Sequence, residues 1–450
     1  MGGLALFGLC RVDPSVSLPS PSPSGGNGPA GVIGIVGGGQ LARMLGEAAR
    51  ELGVRLQVQT PGTGDPALAF ASGQVVAAVD DPVGTAELAR RCGAISFENE
   101  WIPIEALEPL AEAGVRFLPS LDALRPLVDK RSQRELLNAL HLPCPRWIPL
   151  SVVLEPPSPP EGAAGEGQAG GNLPACLPPF PAEPGPGPHL PEGFRFPLMA
   201  KAVRGGYDGK GIRPLADQAA LEELLAQVDP AQWILEERVA FQCELALTAC
   251  RDREGSVACF PLVQTHQHRQ VCDWVLFPAP VNHAVEAFAR NVAASLLTAL
   301  DYVGVLSIEF FYGPAGLQVN ELAPRTHNSG HYTIEACRCS QFAQQVRLVA
   351  GLPMGLTDPV WPGALMVNLL GLSESDPDHG DRLRRLAALP GAHLHWYDKQ
   401  GSSPGRKLGH LTLELEGRTA EERAREMEAR LAEVRTIWPL PLDEKSAVCP

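Results

Sequence analysis

Lysine is almost missing from this chain. Its 37 Lys and Arg residues include only six lysines, Lys130, Lys201, Lys210, Lys399, Lys407 and Lys445. Arginine therefore fills the generic basic surface, and a surviving lysine marks a place that wants a compact ammonium on a flexible stem. Paired cysteine spacing is missing too. The eleven cysteines form no CxxC motif, and Cys337 and Cys339 stand too close for zinc-finger spacing. That excludes a zinc module and a disulfide framework, and points to reduced thiols in a cytoplasmic protein. No uninterrupted apolar run approaches the length of a membrane span, and the apolar first ten residues lack the basic flank of a signal peptide. With a formal charge of −14 there is no basic excess for general nucleic-acid binding or for an anionic membrane surface.

What is present is a 450-residue chain, long enough for two or three domains. Its centre is Lys201-Ala-Val-Arg-Gly-Gly-Tyr-Asp-Gly-Lys-Gly211. Apolar Phe196–Ala200 before it and Ile212–Leu215 after it read as strands. Four glycines and two lysines between strands make a loop of close-approaching backbone N–H groups and positive charge, suited to a polyphosphate. It is not a Walker loop, which needs glycine in place of Arg204, Ser or Thr in place of Gly211, and a helix afterwards. The plainer reading is a glycine-rich hairpin.

A second glycine turn comes earlier. Gly31–Val36 reads as a strand, Gly37-Gly-Gly-Gln-Leu-Ala42 as a G-x-G-x-x-A turn, and the residues to about Leu52 as a helix. The next strand, Val54–Gln59, ends in Gln59-Thr60 with no carboxylate before Asp65, where a ribose-binding acid would stand. An NAD-dependent oxidoreductase is therefore the weaker reading, and a turn holding another small anion the better one. Strands at Gln74–Val79 and Ala94–Phe97, helices at Pro82–Cys92 and Pro103–Ala113, and a closing strand at Val115–Leu118 complete the β/α alternation. Glu98 follows a parallel strand at the edge where ligands bind, or else neighbours a helix N-cap.

Residues 1–30 end in a Ser/Pro/Gly run and are expected to be a disordered extension. Residues 156–191 carry 12 prolines and read as a low-complexity surface excursion. Lys130 opens a helix over Ser132–Leu140. Trp233–Val239 is a strand closing on Glu236 and Glu237, and Glu244 lies on the next one, Cys243–Ala249. Strands at 257–264 and 271–277 flank a polar Gln264–Arg269 turn, whose His266 and His268 lack the partners of a metal site. A helix over Val285–Leu300 leads into strand Tyr302–Phe311 with Glu309, and Leu317–Glu321 returns. A five-residue loop sets Glu309 opposite Glu321, and a four-residue loop sets it opposite Asn320. Either way hard oxygen ligands converge, suiting Mg2+ shared with nucleotide phosphates more than a structural ion pair. The loop Leu322–His331, dense in Arg, His, Asn and Ser, reads as a substrate grip before a helix over about Ile334–Ala350. His393–Lys399 and Pro404–Leu411 then offer a pocket for a substrate phosphate.

Together these stretches resemble the ATP-grasp superfamily, and within it the 5-(carboxyamino)imidazole ribonucleotide synthase family. The resemblance is carried by Gly37–Met44, Gly205–Gly211, Asn320–Arg325 with His327–His331, and His395–Lys399 with Gly405–His410. It implies an α/β fold with a Rossmann-like N-terminal (pre-ATP-grasp) domain over 31–127, a central two-lobed ATP-grasp domain over 128–355, and a small C-terminal domain over 356–450. It implies a reaction in which ATP, bicarbonate and 5-aminoimidazole ribonucleotide give the N-carboxylated ribonucleotide, ADP and phosphate through carboxyphosphate. Another ATP-grasp carboxylate–amine ligase and a degenerate ATP-binding regulator are the neighbouring readings.

The resemblance also distributes roles. Lys130 and Lys201 contact ATP phosphates under Gly206, Tyr207, Asp208, Gly209, Lys210 and Gly211. Glu236, Glu237, Arg238 and Val239 hold adenine, and Glu244 the ribose. Glu309 and Glu321, aided by Asn320, hold Mg2+, or Mn2+ in its place. Arg325 and His327, with Asp208, serve the catalytic step. Gln40, Glu98, Tyr207, Asp208, Lys399 and Arg406 contact the ribonucleotide. The chain departs from the family at Gln264, Thr265 and Gln267, where Gln267 stands for a nucleotide-contacting histidine. The implied partners are small molecules and a second copy in a homodimer, with no nucleic acid or membrane.

Overall fold

A computed structural model describes residues 31–154, 188–206, 211–373, 379–399 and 401–441. Residues 1–30, residues 156–187 of the proline-rich stretch, and Tyr207, Asp208, Gly209 and Lys210 lie outside the described residues.

The N-terminal sheet is parallel, in the order β3-β2-β1-β4, from β1 (Val32–Val36), β2 (Arg55–Gln59), β3 (Gly73–Val75) and β4 (Ala94–Phe97). The uninterrupted apolar run Val-Ile-Gly-Ile-Val is buried along its whole length, as a central parallel strand covered on both faces must be. Two expectations need correction. The strand expected over Gln74–Val79 stops at Val75, because the Gln59 amide draws the carbonyls of Ala78 (2.6 Å) and Asp81 (3.1 Å) into a turn. Val115–Leu118 does not add a full strand: it meets β4 at a single bridge, Ile95–Phe117.

A small antiparallel sheet, β5-β8-β6-β7, combines β5 (Trp147–Pro149), β6 (Leu198–Ala202), β7 (Ile212–Leu215) and β8 (Trp233–Glu237). Residues 188–191, expected within the surface excursion, instead join this lobe. His189 N donates to Val153 O at 2.9 Å, and Leu190 packs on the lobe's core.

The large sheet runs β14-β13-β9-β11-β12-β15-β17-β16, with β10 pairing β9. Its strands are β9 (Cys243–Arg251), β10 (Val257–Cys259), β11 (Val263–His268), β12 (Val271–Phe277), β13 (Gly304–Gly313), β14 (Gly316–Ala323), β15 (Gly363–Leu370), β16 (Ala392–Trp396) and β17 (Lys407–Leu415). The polar run Gln264–Arg269 is thus mostly strand. Only Arg269 and Gln270, both at positive φ, form the turn between β11 and β12. Because β12 pairs β15, the C-terminal strands continue the same sheet. The helix expected over Ile334–Ala350 is split into Thr333–Ala336 and Gln341–Ala350, since Ser340 caps the second segment by accepting from Ala343 N.

One apolar core joins the N-terminal sheet to the large sheet, running from Ile95 and Leu124 to Leu247, Leu296 and Ile308. Among the described residues no helix is long and apolar enough to cross a membrane, and the cysteines are free.

Candidate active site

Between the small antiparallel sheet, the large sheet and the N- and C-terminal strands lies a cleft of about 1150 Å3. It is lined by residues from every part of the chain, including Gln40, Glu100, Lys130, Lys201, Glu236, Glu309, Glu321, Arg325, Lys399 and Arg406.

On the small-lobe side Lys201, on β6, is 6% exposed, and its ammonium lies 2.7 Å from Glu236 Oε2 and 3.2 Å from Asn320 Oδ1. Burial lowers the Lys201 pKa, opposed by Glu236. Burial would raise Glu236, but Lys201 and Arg134 outweigh it and hold the carboxyl down at about 2. The Glu236 side chain, which lines the cleft, is therefore already committed to two cations, Lys201 and Arg134. Glu237, Arg238 and Val239 line the same wall, with Phe311 and Met199. Glu244 sits opposite Phe311 on the neighbouring strand, its carboxyl pushed up to about 7 by burial.

The β13–β14 hairpin merges the two registers expected from the sequence. Gly313 pairs Gly316 and Phe310 pairs Val319, then a bulge shifts the register so that Glu309 faces Glu321. Asn320 becomes the extra residue of the bulge, and its amide oxygen and the Glu321 carboxylate both reach lysines of the cleft. Lys130 Nζ lies 2.8 Å from Glu321 Oε1. Burial pushes Glu309 up, reinforced by the like charges of Glu321 and Glu244, whereas at Glu321 Lys130 and Lys201 overcome burial and hold it down. The pair is thus short of positive charge on the Glu309 side.

Two carboxylates and one amide oxygen are a hard-oxygen set that fits Mg2+. Among the described residues no group of three His, Cys, Asp or Glu is arranged to hold a metal ion.

Arg325 pairs with Glu100, Nε to Oε2 at 2.6 Å and Nη2 to Oε1 at 3.3 Å. His327 Nδ1 lies 3.0 Å from Ser329 Oγ and 3.4 Å from Ser329 N, and its Nε2 lies 3.8 Å from Glu309 Oε1. Burial, then Arg325 and Lys407, push His327 down to about 3, so it is neutral at physiological pH. At the far end Lys399 Nζ donates to Gln40 Oε1 and to Lys407 O, both at 2.8 Å, and Arg406 and Lys407 line the same end. Gln267 also lines the cleft, just beyond a β-bulge at His266.

Glu98 needs correction. It does not face the cleft. Its oxygens accept from Gly39 N (2.8 Å), Leu41 N (3.1 Å) and Ala42 N (3.4 Å), capping helix Gln40–Glu51. A Cβ at Gly37 would stand 2.5 Å from Glu98 Oε2, and one at Gly39 2.6 Å from Glu98 Oε1. The glycine turn thus holds the chain's own carboxylate where a dinucleotide phosphate would go, which removes the NAD reading. The acid at the cleft is Glu100, two residues on. Sequence reasoning also passed over Lys407, despite its scarce lysine, and Arg134, which carried no motif signal.

Two antiparallel lobes gripping a lysine- and carboxylate-lined cleft, preceded by a Rossmann-like sheet, define an ATP-grasp ligase. Matches to models of known families agree: a ribonucleotide synthetase preATP-grasp domain over residues 31–126, an ATP-grasp domain over 188–342, and a phosphoribosylaminoimidazole carboxylase C-terminal domain over 364–425. The chain belongs to the N5-carboxyaminoimidazole ribonucleotide synthase family. It is 45% identical to the Synechococcus elongatus enzyme of that name over 91% of this chain and 96% of the relative. The crystal structure of the Thermus thermophilus synthetase matches with a TM-score of 0.72 and 32% identity, covering 91% of this chain and 100% of that one. An Aspergillus clavatus synthase, solved in complex with ADP and 5-aminoimidazole ribonucleotide, matches with a TM-score of 0.74 and 26% identity over 90% and 98% of the two chains.

Proposed function

We propose that the chain carboxylates 5-aminoimidazole ribonucleotide with bicarbonate, converting ATP to ADP and phosphate and forming N5-carboxyaminoimidazole ribonucleotide in purine biosynthesis. The observation that carries this reading is the set of groups that meet in one cleft. Lys201 meets Asn320 and Lys130 meets Glu321; Glu321 faces Glu309, which lies 3.8 Å from His327; and Arg325, Lys399, Arg406 and Lys407 line the same cleft.

That set matches the atoms to be joined. Lys201 and Lys130 balance the negative charge of the nucleotide phosphates. Glu309, Glu321 and the Asn320 amide would hold Mg2+, which when bound would neutralise charge on the transferring phosphoryl group. A bicarbonate oxygen attacks the γ-phosphorus, the bond to ADP breaks, and carboxyphosphate results. Arg325, oriented by Glu100, presents positive charge to that anion, and neutral His327 adds a hydrogen-bonding ring nitrogen beside it. The substrate amine then attacks the carboxyl carbon, phosphate leaves, and the amine gives up a proton. Lys399 and Arg406 grip the ribonucleotide phosphate, and Gln40 positions Lys399. Glu244 contacts the ATP ribose, the backbone of Glu236–Val239 the adenine, and Gln267 the nucleotide. Gly206 and Gly211 flank the residues between them on the phosphate side. Tyr207 and Asp208 are assigned to substrate, and Gly209 and Lys210 to ATP, through the sequence resemblance alone.

ADP release that requires both aminoimidazole ribonucleotide and bicarbonate supports this function; release driven by formate or an amino acid instead overturns it. The reading includes a cytoplasmic homodimer, tested by sedimentation of the purified chain and by cell fractionation.

A further inference from the structure

Helix Lys130–Ala139 grips three consecutive residues of β14 at its bulge. Lys130 Nζ donates to Glu321 Oε1 at 2.8 Å. Gln133 brackets Leu322, donating from Nε2 to its carbonyl at 2.9 Å and accepting its N–H at 3.1 Å. Arg134 Nη2 donates to Asn320 O at 2.5 Å. Because β14 is the edge strand of the large sheet, Gln133 and Arg134 supply backbone hydrogen bonds that a further strand would have made.

Arg134 does something its helix neighbours do not. It is 1% exposed, and its Nε donates to Glu236 Oε1 at 2.7 Å in the small lobe. Glu236 Oε2 holds Lys201 at 2.7 Å, and Lys201 reaches Asn320 Oδ1 at 3.2 Å. The contacts close a ring: Arg134, Glu236, Lys201, Asn320 and back to Arg134. A guanidinium has the fixed fork this needs, one arm for each lobe.

We propose that Arg134 is a positioning residue that couples the phosphate-binding lysine to the metal-binding bulge, resting on the reading of this cleft as the ATP site. Phosphate oxygens arriving at Lys201 compete with Glu236 and with the Asn320 amide. While Arg134 balances Glu236, Lys201 is free to turn to phosphate, and the Asn320 oxygen it leaves is released to the metal side. Arg134 meanwhile holds the Asn320 carbonyl, so the bulge keeps its register. Without Arg134, Lys201 is the one cation left on the buried Glu236 carboxylate among the described residues, and the bulge loses the tie that Arg134 gives it to the small lobe.

Calorimetric titration with ADP, with and without Mg2+, and with adenosine tests this on the full chain. In the unmodified protein Mg2+ tightens ADP by about 10-fold or more, within the usual range of coupling between sites. In Arg134→Met that ratio falls toward one and ADP weakens, while adenosine affinity changes less than about twofold, since adenosine does not call on Lys201 or the metal. Arg134→Lys, which keeps the charge and loses the fork, gives an intermediate ratio and covers the case in which the methionine variant does not fold. An undiminished Mg2+ effect in either folded variant overturns the proposal, and so does an equal loss for ADP and adenosine. Failure of the unmodified protein to bind ADP would instead overturn the assignment of the cleft.

Discussion

Lys399 Nζ and Gln40 Oε1 share a hydrogen bond of 2.8 Å although they stand 359 positions apart. Gln40 begins the helix after the first glycine turn, and Lys399 follows β16 near the end of the chain. The other side of the Gln40 amide meets His331 Nε2 at 3.1 Å, in the loop after the β13–β14 hairpin. One glutamine therefore joins the N-terminal sheet, the ATP-grasp loop and the C-terminal strands at the basic end of the cleft.

Lys399→Ala is expected to raise KM for the ribonucleotide about 10- to 100-fold, the range for losing a charged hydrogen bond, with KM for ATP within about threefold. Steady-state kinetics with each substrate varied in turn checks this. Equal effects on both would count against a grip on the ribonucleotide phosphate.

Glu321→Gln removes one of the two carboxylates of the hairpin and leaves Lys130 without its partner. ADP production should fall by at least about 100-fold, with circular dichroism unchanged. Turnover near normal at saturating Mg2+ would take Glu321 out of the metal site.

Glu98→Gln should lower stability by about 1–3 kcal/mol, because one of the oxygens accepting from Gly39, Leu41 and Ala42 N is replaced by an NH2 donor that faces the same N–H groups. Both KM values should stay within about twofold. A large rise in KM for the ribonucleotide, without a fall in Tm, would mean that Glu98 faces the substrate after all.

Acid should loosen the ring around Glu236. Its carboxyl is depressed from an ordinary 4.5 to about 2. A depressed acid contributes stability that is full above its unfolded pKa and is lost as pH falls through the folded one. The window is therefore from about 4.5 down to about 2, and the shift corresponds to roughly 3 kcal/mol. Chemical denaturation across that range should show Glu236→Gln losing less stability on acidification than the unmodified chain. Parallel pH profiles would refute the assignment.

Deleting residues 158–186 should leave activity within about threefold. Extending the deletion through Leu190 should lower Tm, because His189 and Leu190 belong to the small lobe. If both deletions behave alike in Tm, that boundary is wrong.

Much of the fold was legible because its signals are local. Buried parallel strands read as apolar runs, the first glycine turn read from its spacing, and the β13–β14 hairpin from carboxylates in apolar strands. Legibility failed where a remote partner decided the outcome. Gln59 shortened the third strand by pulling in carbonyls about 20 residues away. Gln264–Arg269 looked like a solvated turn because polar residues lining a cleft have the composition of a loop, yet β9 and β12 hold most of the run as strand.

By itself, the sequence determined which chemistry the chain carries: two glycine turns, scarce lysines at their stations, paired carboxylates and a basic C-terminal pocket, in the order of one family. Tertiary structure alone decided which of two acids, Glu98 or Glu100, faces the cleft. It decided that a bulge sets Glu309 against Glu321 with Asn320 beside them. It also decided that Arg134, a helix residue without a motif, ties the two lobes together. Side-chain type and spacing along one strand or turn are written in the chain. Partners brought within 3 Å across 100 or more residues depend on strand order and helix packing, and those emerge only when the whole core closes.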